Sequence, residues 1–126
     1  MNPTRILLVD DDDLFAGMVR KFLDVSGYAV VRARNGKEAL KLHDPAQFSL
    51  VVTDLIMPDM EGVELILALR KLNPAVKIIA LSGGGRNQPD TYLAIAQKAG
   101  AMRTLAKPFP LEELGKAVRE CLNAGP

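Results

Sequence analysis

Four points along the chain put reactive side chains where a strand should end. The first is Asp54, which closes the apolar, β-branched run Leu50-Val51-Val52-Thr53. Such a run marks a strand buried on both faces. Its closing acid is either a reactive group at the carboxyl edge of a sheet, where open α/β sheets bind ligands, or the start of a turn. The second is the acidic run Asp10-Asp11-Asp12-Asp13, entered directly from Ile6-Leu7-Leu8-Val9. The third and fourth are Ser82, after Lys77–Leu81, and Lys107, after Thr104-Leu105-Ala106. Asp12 or Asp13 is expected to N-cap the following helix, which accounts for one or two of the four acids. If the first and third strands are neighbours, Asp10, Asp11 and Asp54 converge. Two like charges about 4 Å apart repel by roughly 4 kcal/mol at an effective dielectric of 20. That cluster requires a cation, a raised pKa or wide access to solvent. Ligands offering only oxygen suit magnesium, and no His or Cys lies near enough in the chain to suggest zinc.

The elements that must carry these groups follow from periodicity and punctuation. After the first strand, Phe15, Met18, Val19, Phe22 and Leu23 recur at helical spacing, and Gly27 ends the helix. Tyr28 to Ala33 reads as a second strand. Asn35, with Glu38 three residues on, has the form of a capping box, and Pro45 lies beyond that short helix. Past Asp54, Pro58 forbids further strand pairing and Gly62 stands at the mouth of a third helix with Val63, Ile66, Leu67 and Leu69 apolar, closed by Pro74. Residues 83–90 read as a glycine-rich connection into a fourth helix with the stripe Tyr92, Ile95, Ala96 and Ala99, which Gly100 ends. Pro110 and the acids Glu112 and Glu113 suit the start of a fifth helix, whose inner face is Leu111, Leu114, Val118 and Leu122. Five strand-then-helix repeats imply an α/β fold, a parallel sheet wound on both faces by helices. In it all strands finish on one edge. Strand two, ending at Ala33, does not finish on a polar residue, so the polar ends of the other four are not mere solvated termini.

Composition narrows the class. A chain of 126 residues is expected to form one domain over 1–126 and to bury a substantial core. Hydrophobic residues make up 48% and charged residues 25%, and the net charge of +1 gives no argument for nucleic acid or an anionic membrane. No apolar run approaches the roughly 18 residues of a membrane span. The one cysteine, Cys121, reads as a small apolar residue of the last helix, in keeping with a reducing cytoplasm.

The motifs Ile6-Leu7-Leu8-Val9-Asp10-Asp11, Asp54-Leu55-Ile56-Met57-Pro58 with Gly62, Ala80-Leu81-Ser82, and Lys107-Pro108-Phe109 resemble the receiver domains of two-component response regulators. Each is weak alone; together, in order and at the right strand ends, they are specific. The resemblance implies a flavodoxin-like sheet of order 2-1-3-4-5 with five helices. It implies that Asp54 takes a phosphoryl group from a phosphohistidine on a sensor kinase or phosphotransfer protein, forming an acyl phosphate. It implies magnesium held by Asp11 and Asp54, by Asp10 largely through water, and by the backbone carbonyl of Ile56. Lys107 and Ser82 would meet phosphoryl oxygens, Gly83 would offer a backbone N–H, and Pro108 would make the preceding peptide bond cis. Such a domain is not an enzyme beyond its own phosphorylation and dephosphorylation. It is expected in the cytoplasm, as a monomer or weak dimer that binds a downstream protein and neither nucleic acid nor membrane directly.

Three departures from the family pattern qualify the transfer. The switch aromatic of strand five is replaced by Thr104, and the positions two after the nucleophile and two after the hydroxyl are Ile56 and Gly84. The loop after strand four is long and glycine-rich without a P-loop ending. Rival classes fit worse. A haloacid-dehalogenase-type phosphatase needs a Thr after its second acid, and Asp10 to Leu14 has none. A flavodoxin-like cofactor binder needs a phosphate loop after strand one, and a degenerate scaffold should lack an acid or the lysine. His43 reads as a surface or half-buried residue, not a phosphoryl carrier.

Overall fold

The computed structural model describes residues 3–44, 46–56, 62–82 and 89–124, with the backbone alone for 89–92. Strands and helices alternate: β1 (Arg5–Val9), α1 (Asp13–Val25), β2 (Ala29–Ala33), α2 (Gly36–Leu42), β3 (Leu50–Asp54), α3 (Gly62–Leu72), β4 (Ile78–Ser82), α4 (Pro89–Ala99), β5 (Arg103–Ala106) and α5 (Leu111–Asn123). The five strands form one parallel sheet in the order β2-β1-β3-β4-β5. The expectations for Pro45, Met57, Pro58, Tyr92 and the segment 83–88, Gly83 and Gly84 included, fall on residues or side chains outside that description.

The alternation of side chains along each strand divides the core into two layers. Leu7, Val9, Val51, Ile78 and Ala80 point to one face, where they meet Ala39 of α2, Leu65, Ile66 and Leu69 of α3 and Ala96 of α4. Ile6, Leu8, Leu50, Val52, Ile79 and Leu81 point to the other, against Ala16, Val19 and Leu23 of α1 and Leu114, Val118 and Cys121 of α5. Apolar residues on both sides explain why the inner strands read as continuous hydrophobic runs. Each buried Leu or Ile contributes about 1.5–3 kcal/mol.

Helix boundaries follow local chemistry. Asp12 caps α1, its carboxylate accepting from the N–H of Leu14 and of Phe15. Gly27, at φ +99°, supplies the left-handed turn beyond its end. Asn35 caps α2 by accepting from the Glu38 N–H at 2.8 Å, but the returning arm lands one residue early, on the Arg34 N–H. Tyr28 and Lys77 fall just outside β2 and β4. Three of the apolar residues read at helical spacing face outward: Met18, Leu67 and Ile95 are 55%, 55% and 44% exposed. On α3 the inward place belongs to Leu65, fully buried one turn from Leu69. The register pairs Val9 with both Ala33 and Thr53, Asp54 with Leu81, and Ser82 with Ala106. It thereby sets the ends of all five strands along one edge.

Candidate functional site

At that edge the chain order reverses at β1, which lies between β2 and β3. A crevice outside such a switch point is the usual ligand site of an open α/β sheet. Its floor is acidic. Asp10, Asp11 and Asp54 each offer a carboxylate oxygen, all within 4.8 Å of one another. Asp10 is fully buried and Asp54 nearly so, whereas Asp11 is exposed.

Each carboxylate is fixed differently. Asp10 Oδ1 accepts from the Asp12 N–H at 2.9 Å, and its Oδ2 stands 3.1 Å from the Lys107 ammonium. Asp54 Oδ1 accepts from the Leu55 N–H at 3.0 Å and lies 3.8 Å from the same ammonium. Gly62 secures the exit from β3. Its N–H donates to the Leu55 carbonyl at 2.8 Å, and a Cβ there would stand against the Asp54 carbonyl and the Leu55 Cα. Burial pushes the Asp54 carboxyl up to about 6, with the charges of Asp10 and Asp11 adding to the effect while Lys107 and the Leu55 N–H oppose it. The crowding of three acids is therefore met by an ammonium, by a raised pKa and by the exposure of Asp11 together.

Lys107 reaches the cluster from the end of β5, where its N–H donates to the Ser82 carbonyl at 2.8 Å and the Lys107–Pro108 peptide bond is cis. Its ammonium sits 3.9 Å from the centre of the Phe15 ring, and that ring meets Phe109 edge-on at 6.1 Å. An ammonium over an aromatic face gains about 0.5–2 kcal/mol. Ser82 is buried at the adjoining strand end, and Ile56, two residues past Asp54, is 50% exposed. Gly83 lies outside the described residues.

Strand two ends on the apolar Ala33 as expected, yet a polar residue just before its end reaches this edge. Arg32, one residue short of its end, sends Nε and Nη2 to the Asp10 carbonyl at 3.0 and 2.8 Å and Nη1 to Asp13 at 2.7 Å. Attention to the last residue of each strand passes over it, because the long side chain spans the gap its position leaves. Phe15 was legible as one of the apolar residues at helical spacing in the first helix, but nothing in its spacing marks it as the seat of Lys107. Two side chains stay in the packing. His43 stacks on Phe48 with its ring nitrogens buried, and burial lowers its pKa. Cys121 is buried in the α5 face, and burial pushes its thiol up.

Residues 6–119 match the family model described as the response regulator receiver domain. The chain belongs to that family. Three relatives illustrate the range of this receiver. It is 33% identical over 121 residues to the transcriptional regulatory protein GlrR of Escherichia coli K12, covering 96% of the chain but only 27% of GlrR. It is 31% identical to the response regulator receiver protein CpdR of Brucella abortus, covering 95% of the chain and 98% of CpdR. The crystal structure of response regulator TrrA from Thermotoga maritima, in complex with Mg(2+)-BeF, superposes with a TM-score of 0.81 at 31% identity, covering 94% and 98% of the two chains. The receiver thus spans about a quarter of one curated relative and nearly all of another.

Three carboxylates with no nitrogen or sulfur ligand among them form a donor set for a hard divalent cation. The exposed Asp11 leaves a side open to the waters magnesium keeps. The acidic pocket fits magnesium. No helix among the described residues is long and apolar enough to cross a membrane.

Proposed function

We propose that this receiver accepts a phosphoryl group on Asp54 from a phosphohistidine of a sensor kinase or phosphotransfer protein. The observation that carries the reading is a nearly buried Asp54 carboxylate within 4.8 Å of two further acids and 3.8 Å from Lys107. One oxygen of Asp54 attacks phosphorus as the bond from phosphorus to the donor imidazole nitrogen breaks. The bonding pair leaves with that nitrogen, and the product is an acyl phosphate. Asp10, Asp11 and Asp54, with the Ile56 carbonyl, would hold magnesium. When bound it supplies positive charge opposite the phosphoryl oxygens.

The chain's own groups do the rest. Asp54, pushed up to about 6, is largely ionised at neutral pH and so able to attack. Lys107 moves from Asp10 to a phosphoryl oxygen as that charge arrives, a short reach from its seat on Phe15. The Ser82 hydroxyl and the Gly83 N–H would take the remaining oxygens. The domain catalyses its own phosphorylation and dephosphorylation only, acts in the cytoplasm, and hands its signal to a downstream protein. That the similar TrrA was crystallised in complex with Mg(2+)-BeF supports magnesium as a ligand of this receiver.

Incubation with acetyl phosphate and magnesium tests the reading. The expected result is one phosphate per chain by intact mass, absent in Asp54→Asn. Rapid release of phosphate with no phosphorylated chain accumulating would indicate a phosphatase, and neither modification nor release would indicate a scaffold. Phosphate retained on the Asp54→Asn variant would assign the wrong acceptor.

A further inference from the structure

We infer that Arg32 is a positioning residue for the divalent cation, acting through the backbone of Asp10. The inference rests on the reading that Asp10 and Asp11 hold magnesium. In a parallel ladder the Asp10 N–H, which donates to the Ala33 carbonyl at 3.1 Å, would be followed by an N–H two residues further along β2 donating to the Asp10 carbonyl. That residue is Asn35, which has already turned away to cap α2. The fully buried Asp10 would be left with an unpaired carbonyl, which protein interiors rarely leave so.

Arg32 supplies the missing donors. Nε and Nη2 both point at the Asp10 carbonyl, at 3.0 and 2.8 Å, while Nη1 holds Asp13 at 2.7 Å on the far side of the acidic turn. The side chain is only 17% exposed. One guanidinium therefore grips both ends of the segment Asp10-Asp11-Asp12-Asp13 and sets the direction in which Asp10 and Asp11 present their carboxylates. The planar fork is what the geometry uses, since a lysine ammonium is a point charge without it.

Positioning and simple electrostatics predict opposite signs. If Arg32 acted only through its charge, it would repel the cation, and Arg32→Met would bind magnesium more tightly while Arg32→Lys would be unchanged. If it positions the turn, both variants weaken binding, by about tenfold or more as for other partners that orient metal ligands. Calorimetric titration of magnesium into wild type, Arg32→Lys and Arg32→Met decides the point, with circular dichroism in EDTA as the check on folding. Arg32→Lys equal to wild type, or Arg32→Met tighter, overturns the inference while leaving the phosphoacceptor reading intact. Wild type that binds no magnesium removes both. Should the variants fail to fold, the wild-type Arg32 Nε proton answers by NMR. Slow exchange with solvent and a shift on adding magnesium are expected, and an Nε proton unmoved by saturating magnesium overturns the proposal.

Discussion

Asp54 pays for its position in protonation. Its folded-state pKa of about 6 lies above the ordinary 3.8, so between those values the folded chain binds more protons than the unfolded one. Stability therefore falls as pH rises through that window and stays lowered above it. Asp54→Asn cannot ionise and keeps an acceptor for the Leu55 N–H. In EDTA at pH 7 it should be more stable than its parent by up to about 3 kcal/mol, since a tenfold change in proton affinity is worth about 1.4 kcal/mol. The gap should close as the pH is brought down toward 4. Urea unfolding at both ends of the range checks this, and a gap independent of pH would rule out ionisation as its source. Ile56 makes a second prediction at this scale. Half-exposed two residues past Asp54, the proposed acceptor, it offers no polar group to orient attacking water. Ile56→Asn should shorten the life of the phosphorylated form, measured as loss of labile phosphate after the donor is removed. An unchanged lifetime would clear Ile56 of that role.

Neighbouring acids at the start of α1 have separable duties. Asp12 caps the helix through two N–H groups, so Asp12→Ala should cost about 1 kcal/mol without metal and keep most of the rise in Tm on adding magnesium. Asp11→Ala should do the reverse. Thermal melts with magnesium and with EDTA separate them, and equal responses would mean that Asp11 is not a ligand. At the other end of the crevice, Gly62→Ala should destabilise by about 1–3 kcal/mol, because its Cβ has only the backbone of Asp54 and Leu55 to push on. A Tm within a degree of wild type would show that the turn relaxes freely. The sequence disclosed the elements, and with them Asp10, Asp11, Asp54, Ser82 and Lys107, because apolar runs that stop on one polar residue announce strand ends. It did not disclose Met18, Leu67 and Ile95 as surface residues. Helical spacing puts an apolar residue on a stripe, but the width of the packed interface decides which members of the stripe are covered. Arg32 was hidden for a related reason. Its role depends on where β2 stops relative to β1, and that is a property of register.

Across the whole molecule, a phosphoryl group can redirect the fold only by the difference in its interactions with two states. Moving a population from 1:99 to 99:1 takes about 5.5 kcal/mol. Thr104, paired with Ala80 in β5, is small and stiff at χ1, with little area to bury or release. The change on activation should therefore appear mainly across residues 83–95, with 102–105 changing little. Amide shifts with and without beryllofluoride and magnesium measure both segments at once. Shifts in β5 as large as those in residues 83–95 would return the switch to the strand.

The place of β1 inside the sheet has a consequence for synthesis. β1 is translated before the other strands, and its two partners, β2 and β3, are both made by residue 54. Three adjacent strands of the sheet are therefore complete in the growing chain before β4 and β5 are made. All three acids of the cluster belong to this early piece, but the ammonium that faces Asp10 and Asp54 does not emerge until β5 is complete. A nascent receiver thus carries its negative charge ahead of its counter-charge. The late strand is drawn home by the attraction of Lys107 to these acids as well as by burial.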